Sequence, residues 1–139
     1  MTSVASAIDA PLASILVVED EALVRQMLTR SLRRLGYRVV EATSGVDALL
    51  LWPDIAGGVD LVLTDMVMPG GVSGTDLAAS LREQKPGIEI IVMSGHSAKV
   101  GNERDAAAHG VRFMSKPFSL ATLRQTVLAA LGAERPSRV

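Results

Sequence analysis

The chain has 139 residues, of which 48% are hydrophobic, and its 14 basic and 15 acidic side chains give a formal net charge of -1. This length and hydrophobic content suffice for one buried core and predict a single domain. The charge balance provides no basic surface for a nucleic-acid backbone or an anionic membrane, so neither is expected as a partner. Cysteine is absent, which excludes disulfides and thiolate metal sites.

The two ends of the chain carry no targeting pattern. The first residues are small and mixed, and they lack the basic segment and continuous apolar core of a secretory signal. No apolar run approaches the roughly 20 residues that a membrane-spanning helix needs. We expect a flexible segment over residues 1–13, a folded domain over 14–132, a flexible tail over 133–139, and a cytoplasmic location.

Short apolar runs predict five strands. The run Leu61-Val62-Leu63 lies between two glycines and a Pro-Gly-Gly turn and is too short for a helix. It is therefore typical of a buried parallel strand, and this strand ends at an acid, Asp65. In chain order, the predicted strands cover residues 14–18, 37–42, 61–65, 89–93 and 111–115.

A helix is predicted after each strand, and Gly36 is expected to cap the first one in a left-handed conformation. Ser44, with Asp47 three residues later, signals the start of the second helix. Pro53 and Gly132 are expected to end the second and the last helix. In chain order, the predicted helices cover residues 22–35, 44–52 and 74–85, a stretch somewhere within 99–109, and residues 119–131. The expected core-facing positions of the first and last helices are Val24, Met27, Leu28, Leu32, Leu35, Leu120, Leu123, Val127, Leu128 and Leu131.

Five strands that alternate with five helices predict an α/β fold, with a parallel sheet, right-handed crossovers and helices on both faces. The doubly wound, flavodoxin-like strand order 2-1-3-4-5 fits five such units best. In that order strands one and three are neighbours, so Glu19, Asp20 and Asp65 are expected to meet at one edge of the sheet. Ser94 and Lys116 follow strands four and five at the same edge.

Three crowded carboxylates repel one another unless a cation lies between them, and oxygen ligands with retained water suit Mg²⁺. A carboxylate can accept a phosphoryl group, and the charge of that group requires a fixed cation and hydrogen-bond donors nearby. Lys116 and Ser94 are available for these two tasks. Each feature alone has an ordinary structural explanation. Their combination favours phosphoryl transfer. An acid pair follows strand one, a single acid strand three, a hydroxyl strand four and a lysine strand five.

The motifs VVEDE, LTDMVMPGGVSG, IVMSGHS and FMSKPF, spread over about residues 14–131, resemble the receiver domain of two-component response regulators. The resemblance implies that Asp65 accepts a phosphoryl group from a histidine kinase or a phosphotransfer protein. It also implies that Asp20, Asp65 and the backbone carbonyl of Val67 bind Mg²⁺, with Mn²⁺ as an alternative, and that Glu19 reaches the metal through water.

The resemblance further implies a switch. Ser94 would hydrogen-bond the phosphoryl oxygens and Lys116 would pair with them, while Phe113 matches the aromatic switch position. Inward movement of Ser94 would vacate space for Phe113 and change the surface of the fourth helix, fifth strand and fifth helix, which would control a protein partner. Phe113 equally fits an ordinary core aromatic on a buried strand.

Two departures from the family pattern lie near the acceptor. The loop after Pro69 carries one additional residue, through Gly70-Gly71. Val67 is apolar where many members carry a polar side chain, and we expect Val67 and His96 to influence how long the phosphorylated state lasts. The remaining histidine and the methionines near the predicted site are expected to be solvated or packed, and these are His109, Met66, Met68 and Met93.

Three other functions fit a fold of this class. A phosphohydrolase with an aspartyl nucleophile usually carries a second aspartate two residues later, where this chain has Val67. A flavin-binding module would need a small polar phosphate loop after strand one, where Glu19-Asp20-Glu21 would repel phosphate. A non-phosphorylated scaffold on the same fold is the third alternative.

No residues follow the last predicted helix that could form a DNA-binding output domain. We expect either a single-domain regulator or the receiver piece of a hybrid histidine kinase, and the initial methionine favours a complete chain. Its chemistry is expected to be limited to self-catalysed phosphoryl transfer and slow autodephosphorylation, so it is not an enzyme in the ordinary sense. A monomer or weak homodimer is expected.

Overall fold

The computed structural model describes residues 13–95 and 111–134. Its five strands are all parallel and form one sheet in the order β2-β1-β3-β4-β5, which confirms the predicted doubly wound fold. The strands are β1 (Ser14–Val18), β2 (Arg38–Ala42), β3 (Leu61–Asp65), β4 (Glu89–Ser94) and β5 (Arg112–Ser115). The predicted domain limits at residues 14 and 132 stay a prediction.

Four helices and a short 3₁₀ turn connect or follow the strands within the described ranges. The helices are α1 (Ala22–Arg34), α2 (Gly45–Ile55), α3 (Gly74–Gln84) and α4 (Leu120–Glu134), and the turn is Ala56–Gly58. Gly36 has a φ of 102°, so the predicted left-handed cap after α1 is present. The helix predicted over 99–109 lies outside the described residues, as do His96 and His109.

The sheet is covered on both faces, which is why the three central strands β1, β3 and β4 are buried along almost their whole length. Alternate residues of each strand point to opposite faces. One face packs against α2 and α3, and its core includes Leu16, Val18, Trp52, Val62, Leu77, Leu81, Ile90 and Val92. The other face packs against α1 and α4, and its core includes Ile15, Val17, Leu28, Leu32, Leu61, Leu63, Ile91, Leu123 and Val127.

The register of the strands brings their carboxyl ends to one level. The pairing of β1 with β3 puts Glu19 beside Asp65, and the pairing of β3 with β4 sets Asp65 opposite Met93. Ser94 is the next residue on β4, and the Lys116 N–H donates to the Ser94 carbonyl at 2.7 Å. The predicted polar side chains therefore occupy one edge of the sheet.

The predicted end of the second helix at Pro53 is wrong. Pro53 lies inside α2, which continues to Ile55. Proline removes one backbone donor, but this loss falls in the last turn, and the Ala56 N–H still bonds to the Trp52 carbonyl. The fully buried Trp52 side chain anchors the same turn to the core.

The predicted end of the last helix at Gly132 is also wrong, because α4 continues to Glu134. A helix interior tolerates a glycine at a cost of about 1 kcal/mol. Three predicted core positions, Met27, Leu120 and Leu128, are 53%, 56% and 46% exposed. The buried face of α4 runs through Leu123, Val127, Ala130 and Leu131.

Candidate functional site

Three carboxylates converge at the carboxyl edge of the sheet. Glu19, Asp20 and Asp65 each offer an oxygen, and these oxygens all lie within 4.8 Å of one another. Glu19 and Asp65 are buried, whereas Asp20 is exposed. Burial raises the pKa of Glu19 to about 7, and the neighbouring Asp65 carboxyl adds to this rise. The ionised form of Glu19 is therefore disfavoured at this edge of the sheet.

Lys116 places its ammonium group between two of these acids. Its Nζ lies 2.5 Å from Oδ1 of Asp65 and 3.4 Å from Oε1 of Glu19. Burial lowers the pKa of Lys116, but the hydrogen bonds and attraction of both acids outweigh this effect and raise the pKa above its ordinary value. Lys116 follows directly after β5, whose pairing with β4 fixes its backbone.

Ser94 and Phe113 lie close to this edge. Ser94 is 2% exposed, and its hydroxyl donates to the Gly95 carbonyl at 3.1 Å. Phe113 is half-buried on β5, is paired with Val92, and packs against the core face that holds α2 and α3. The packing of Phe113 fits a core aromatic, and its role as a switch stays a prediction.

The loop after Asp65 is held by backbone bonds at both ends. The Met66 N–H donates to the Met93 carbonyl at 2.7 Å, and the Gly74 N–H donates to the Met66 carbonyl at 2.7 Å. Gly70 and Gly71 both have left-handed φ angles, of 99° and 84°. Two glycines are needed for this path, because other residues rarely adopt that conformation.

The side chains of this loop divide into buried and exposed ones. Met66 and Met68 are buried and pack into the core, as predicted, and so is Met93 on β4. Val67, two residues after the end of β3, is 78% exposed. Its neighbours Met66, Met68, Gly71, Ser73, Thr75 and Asp76 line a surface cavity with it.

No role is predicted from sequence patterns for Ser73, Gly74 or Arg25. Ser73 and Asp76 form a reciprocal capping box at the start of α3, and the Ser-x-x-Asp spacing is a signal that could have been used. Arg25 donates from Nη1 to the Glu19 carbonyl at 2.8 Å and from Nε to Oε1 of Glu41 at 3.2 Å. No rule of sequence spacing predicts the contacts of Arg25 with Glu19 and Glu41.

The site lies in a chain that shows no membrane-crossing helix in its described part. Among residues 13–95 and 111–134, every helix is too short or too polar to span a bilayer.

Comparison with known proteins identifies the family. The family model of the response regulator receiver domain matches residues 15–128. The chain is 41% identical over 115 residues to the sensor kinase CckA of Brucella abortus (strain 2308), which covers 83% of this chain and 12% of that protein. It is 37% identical over 125 residues to the DNA-binding transcriptional regulator NtrC of Azospirillum brasilense, which covers 89% of this chain and 25% of that one.

The fold is similar to that of solved receiver structures. The crystal structure of a response regulator receiver domain protein from Clostridium thermocellum matches with a TM-score of 0.83 and 28% identity, covering 88% of this chain and 97% of that one. The chain spans a quarter or less of the length of the two curated relatives named above. It belongs to the family of response regulator receiver domains of two-component signalling systems.

Proposed function

We propose that Asp65 accepts a phosphoryl group from a histidine kinase or a phosphotransfer protein. The observation that carries this proposal is the buried Asp65 carboxylate at the end of β3, with the Lys116 ammonium 2.5 Å away and two further acids beside it. An Asp65 oxygen forms a bond to phosphorus as the bond from phosphorus to the donor breaks. Transfer is self-catalysed, and water later hydrolyses the acyl phosphate slowly.

The residues around Asp65 suit the charge of a phosphoryl group. Three negatively charged oxygens must be stabilised while phosphorus moves between donor and acceptor. Lys116, which pairs with Asp65 in the structure, would pair with these oxygens. Ser94 would donate its hydroxyl proton to them in place of the Gly95 carbonyl that it now contacts.

The acid cluster fits a divalent cation. Carboxylate oxygens are hard ligands of the type that Mg²⁺ prefers, and the exposure of Asp20 leaves room for metal-bound water. We assign Asp20, Asp65 and the carbonyl of Val67 as ligands, with Glu19 acting through water and Mn²⁺ as an alternative ion. When bound, the ion would neutralise charge on the acids and on the phosphoryl group.

The output of phosphorylation is a changed protein surface. Ser94 would shift toward the phosphoryl group, and Phe113 would fill the space it leaves. The surface built from β5, α4 and the helix predicted over 99–109 would then present a different face to a protein target. The relative NtrC is named a DNA-binding regulator, and this chain covers 25% of it. The expectation that nucleic acid is not a partner therefore concerns the 139 residues of this chain and not a longer protein that contains such a domain.

The chain is 41% identical to CckA, which is named a sensor kinase. This identity favours a second kind of parent protein in which the same phosphoryl transfer would take place. In that context the chain is the receiver piece of a hybrid histidine kinase and takes its phosphoryl group from a kinase domain of the same protein. Transcriptional regulators related to NtrC are the other context that the comparisons support.

Incubation with acetyl phosphate and Mg²⁺, followed by intact-mass measurement, tests the function. The wild-type chain is expected to gain one phosphoryl group, the Asp65→Asn variant to gain none, and Asp54→Asn, which removes an exposed acid of α2, to behave as the wild type. A phosphohydrolase would release phosphate with turnover, and a scaffold would show no gain. A phosphoryl group on the Asp65→Asn variant would contradict the proposal.

Mg²⁺ is expected to raise the midpoint of thermal unfolding. An ion that binds only the folded chain adds about 1.4 kcal/mol of stability at ten times its dissociation constant, which corresponds to a few degrees in a domain of this size. Asp20→Asn should reduce this shift, and Asp54→Asn should keep it. Differential scanning calorimetry checks the result, and an equal shift in all three proteins would argue against the assigned ligands.

Val67 is expected to limit the loss of the phosphoryl group. Its side chain is 78% exposed two residues after Asp65, so we expect Val67→Ala to open a path for water and Val67→Asn to offer water a hydrogen-bond partner. Both variants should lose the phosphoryl group about three- to tenfold faster, equivalent to about 0.6–1.4 kcal/mol in the barrier. Decay of the phosphorylated mass checks this, with Leu50→Asn, an exposed position of α2, as control. Unchanged decay in both Val67 variants would refute the role.

A further inference from the structure

Arg25 joins the segment that carries the acid pair to the edge strand β2. Its Nη1 donates to the backbone carbonyl of Glu19 at 2.8 Å, and its Nε donates to Oε1 of Glu41 at 3.2 Å. The Arg25 side chain is only 16% exposed. Its bond to the Glu19 carbonyl is partly buried, whereas its bond to Glu41 is exposed. A guanidinium is planar and its donors have a fixed fork geometry, so two bonds to different partners define its orientation.

Helix α1 does not stabilise the positive charge of Arg25. Arg25 is the fourth residue of α1, near the end of the helix where the dipole disfavours a cation. The first turn contains no acidic residue, and the N-cap residue Glu21 makes no side-chain cap bond. The helix dipole therefore does not stabilise the guanidinium, whereas its bonds to Glu19 and Glu41 do. Because Glu19 belongs to the acid cluster, these bonds indicate a role for Arg25 at that cluster.

We propose that Arg25 is a positioning residue for the Glu19–Asp20 acid pair, a role that rests on the proposed function. The carbonyl that Arg25 holds belongs to the planar peptide between these two acids, so the bond fixes the orientation of that plane. The Glu19 N–H donates to the Ala42 carbonyl at 3.1 Å, and the Glu21 N–H donates to Oε2 of Glu19 at 3.1 Å.

These bonds matter most for Asp20. Its side chain is exposed, so core packing does not fix it and its placement follows from the backbone. Groups that orient metal ligands from outside typically change metal affinity about 10- to 100-fold when they are removed. Without the guanidinium, the peptide can rotate and the acids converge for a smaller share of the time.

The role predicts a separation of two effects. Loss of Arg25 should raise the Mg²⁺ concentration needed for half-saturation, because the ligands are less well ordered. It should leave the phosphorylation rate at saturating Mg²⁺ close to that of the wild type, because Arg25 does not touch the reacting carboxylate. A purely structural role would lower thermal stability without changing the Mg²⁺ dissociation constant.

Arg33 provides a matched control on the same helix. Its Nη2 donates to the Val39 carbonyl at 3.2 Å, and this bond spans six positions of the chain, as does the Arg25 bond to Glu19. Arg33 lies about 12 Å further along the helix axis. Arg25→Gln and Arg33→Gln therefore each remove one positive charge and one bond to a backbone carbonyl, the first near the acid cluster and the second away from it. Arg25→Gln also removes the bond to Glu41, whose contribution Glu41→Gln measures separately.

The test is isothermal titration calorimetry of the 139-residue chain with MgCl₂. The dissociation constant of Arg25→Gln is expected to rise about tenfold or more, and that of Arg33→Gln to stay within about twofold of the wild type. Arg25→Lys, which keeps one donor, and Glu41→Gln, which keeps a neutral acceptor, should lie between. If circular dichroism shows that Arg25→Gln does not fold, these two variants carry the test.

Each outcome separates this proposal from the proposed function. A wild-type chain that binds no Mg²⁺ would overturn both. Binding by the wild type with an unchanged dissociation constant in Arg25→Gln, or in Arg25→Lys and Glu41→Gln if Arg25→Gln is unfolded, would overturn only the role of Arg25. An equal rise in Arg33→Gln would overturn it as well, because the effect would then be a general one of the helix.

Discussion

The Lys116→Met variant is expected to accept a phosphoryl group from acetyl phosphate on the order of 10²–10³ times more slowly than the wild type. The Lys116 ammonium lies 2.5 Å from Asp65, where the proposed function would place the charge of the phosphoryl oxygens during transfer. Methionine keeps the length of the side chain but removes its charge and donors. The rate of phosphoryl gain, followed by intact mass at saturating Mg²⁺, checks this expectation.

Lys85→Met is the control for the loss of a half-buried ammonium. Lys85 donates to the carbonyls of Ala56 and Val59 at 2.6 and 2.7 Å, and these bonds lie at the 3₁₀ turn before β3 rather than at the acid cluster. Its loss should lower the free energy of unfolding by about 1–3 kcal/mol and leave the phosphorylation rate nearly unchanged. A Lys116→Met rate within about threefold of the wild type, about 0.6 kcal/mol in the barrier, would contradict the assigned role.

Gly74→Ala is expected to impair both folding and phosphorylation. A Cβ at this position would collide with the backbone carbonyl oxygen of Asp65 and lie 3.0 Å from the Cα of Met66. Both obstacles are backbone, so either α3 or the end of β3 must move. We expect the free energy of unfolding to fall by about 3 kcal/mol. Displacement of the acceptor should slow phosphorylation on the order of 10²-fold.

Gly87→Ala is the matched control, because a Cβ there meets no atom within 4 Å and Gly87 has no left-handed φ. Its free energy of unfolding should stay within about 0.5 kcal/mol of the wild type. Urea denaturation gives the stabilities, and the acetyl phosphate assay gives the rates. Wild-type behaviour of Gly74→Ala in both measurements would show that the close contact does not constrain the site.

The sheet order and the placement of the acids could be predicted because both depend on local patterns. Each strand is an apolar run with a clear end, and parallel strands gather their carboxyl ends at one edge. Glu19 and Lys116 directly follow β1 and β5, and Asp65 is the last residue of β3, so correct strand limits sufficed to bring them together.

Contacts made across the fold escaped prediction. Nothing near Gly74 in the sequence shows that its Cα approaches the backbone of Asp65, and nothing near Arg25 indicates its bond to Glu41 on another strand. Pro53 was expected to end α2, but the helix continues to Ile55. The Trp52 carbonyl accepts a bond from the Ala56 N–H, and the Trp52 side chain packs in the core. Leu120 and Leu128 have the hydrophobicity and the spacing of core residues, but they are 56% and 46% exposed.

The identity of the phosphorylated residue tests the central claim most directly. Sodium borohydride reduces an aspartyl phosphate to homoserine, so treatment of the phosphorylated chain followed by peptide mass mapping locates the modified position. We expect homoserine at position 65 and an unmodified aspartate at position 20. Homoserine at position 20 or elsewhere, or its absence from a chain that has gained a phosphoryl group, would contradict the account.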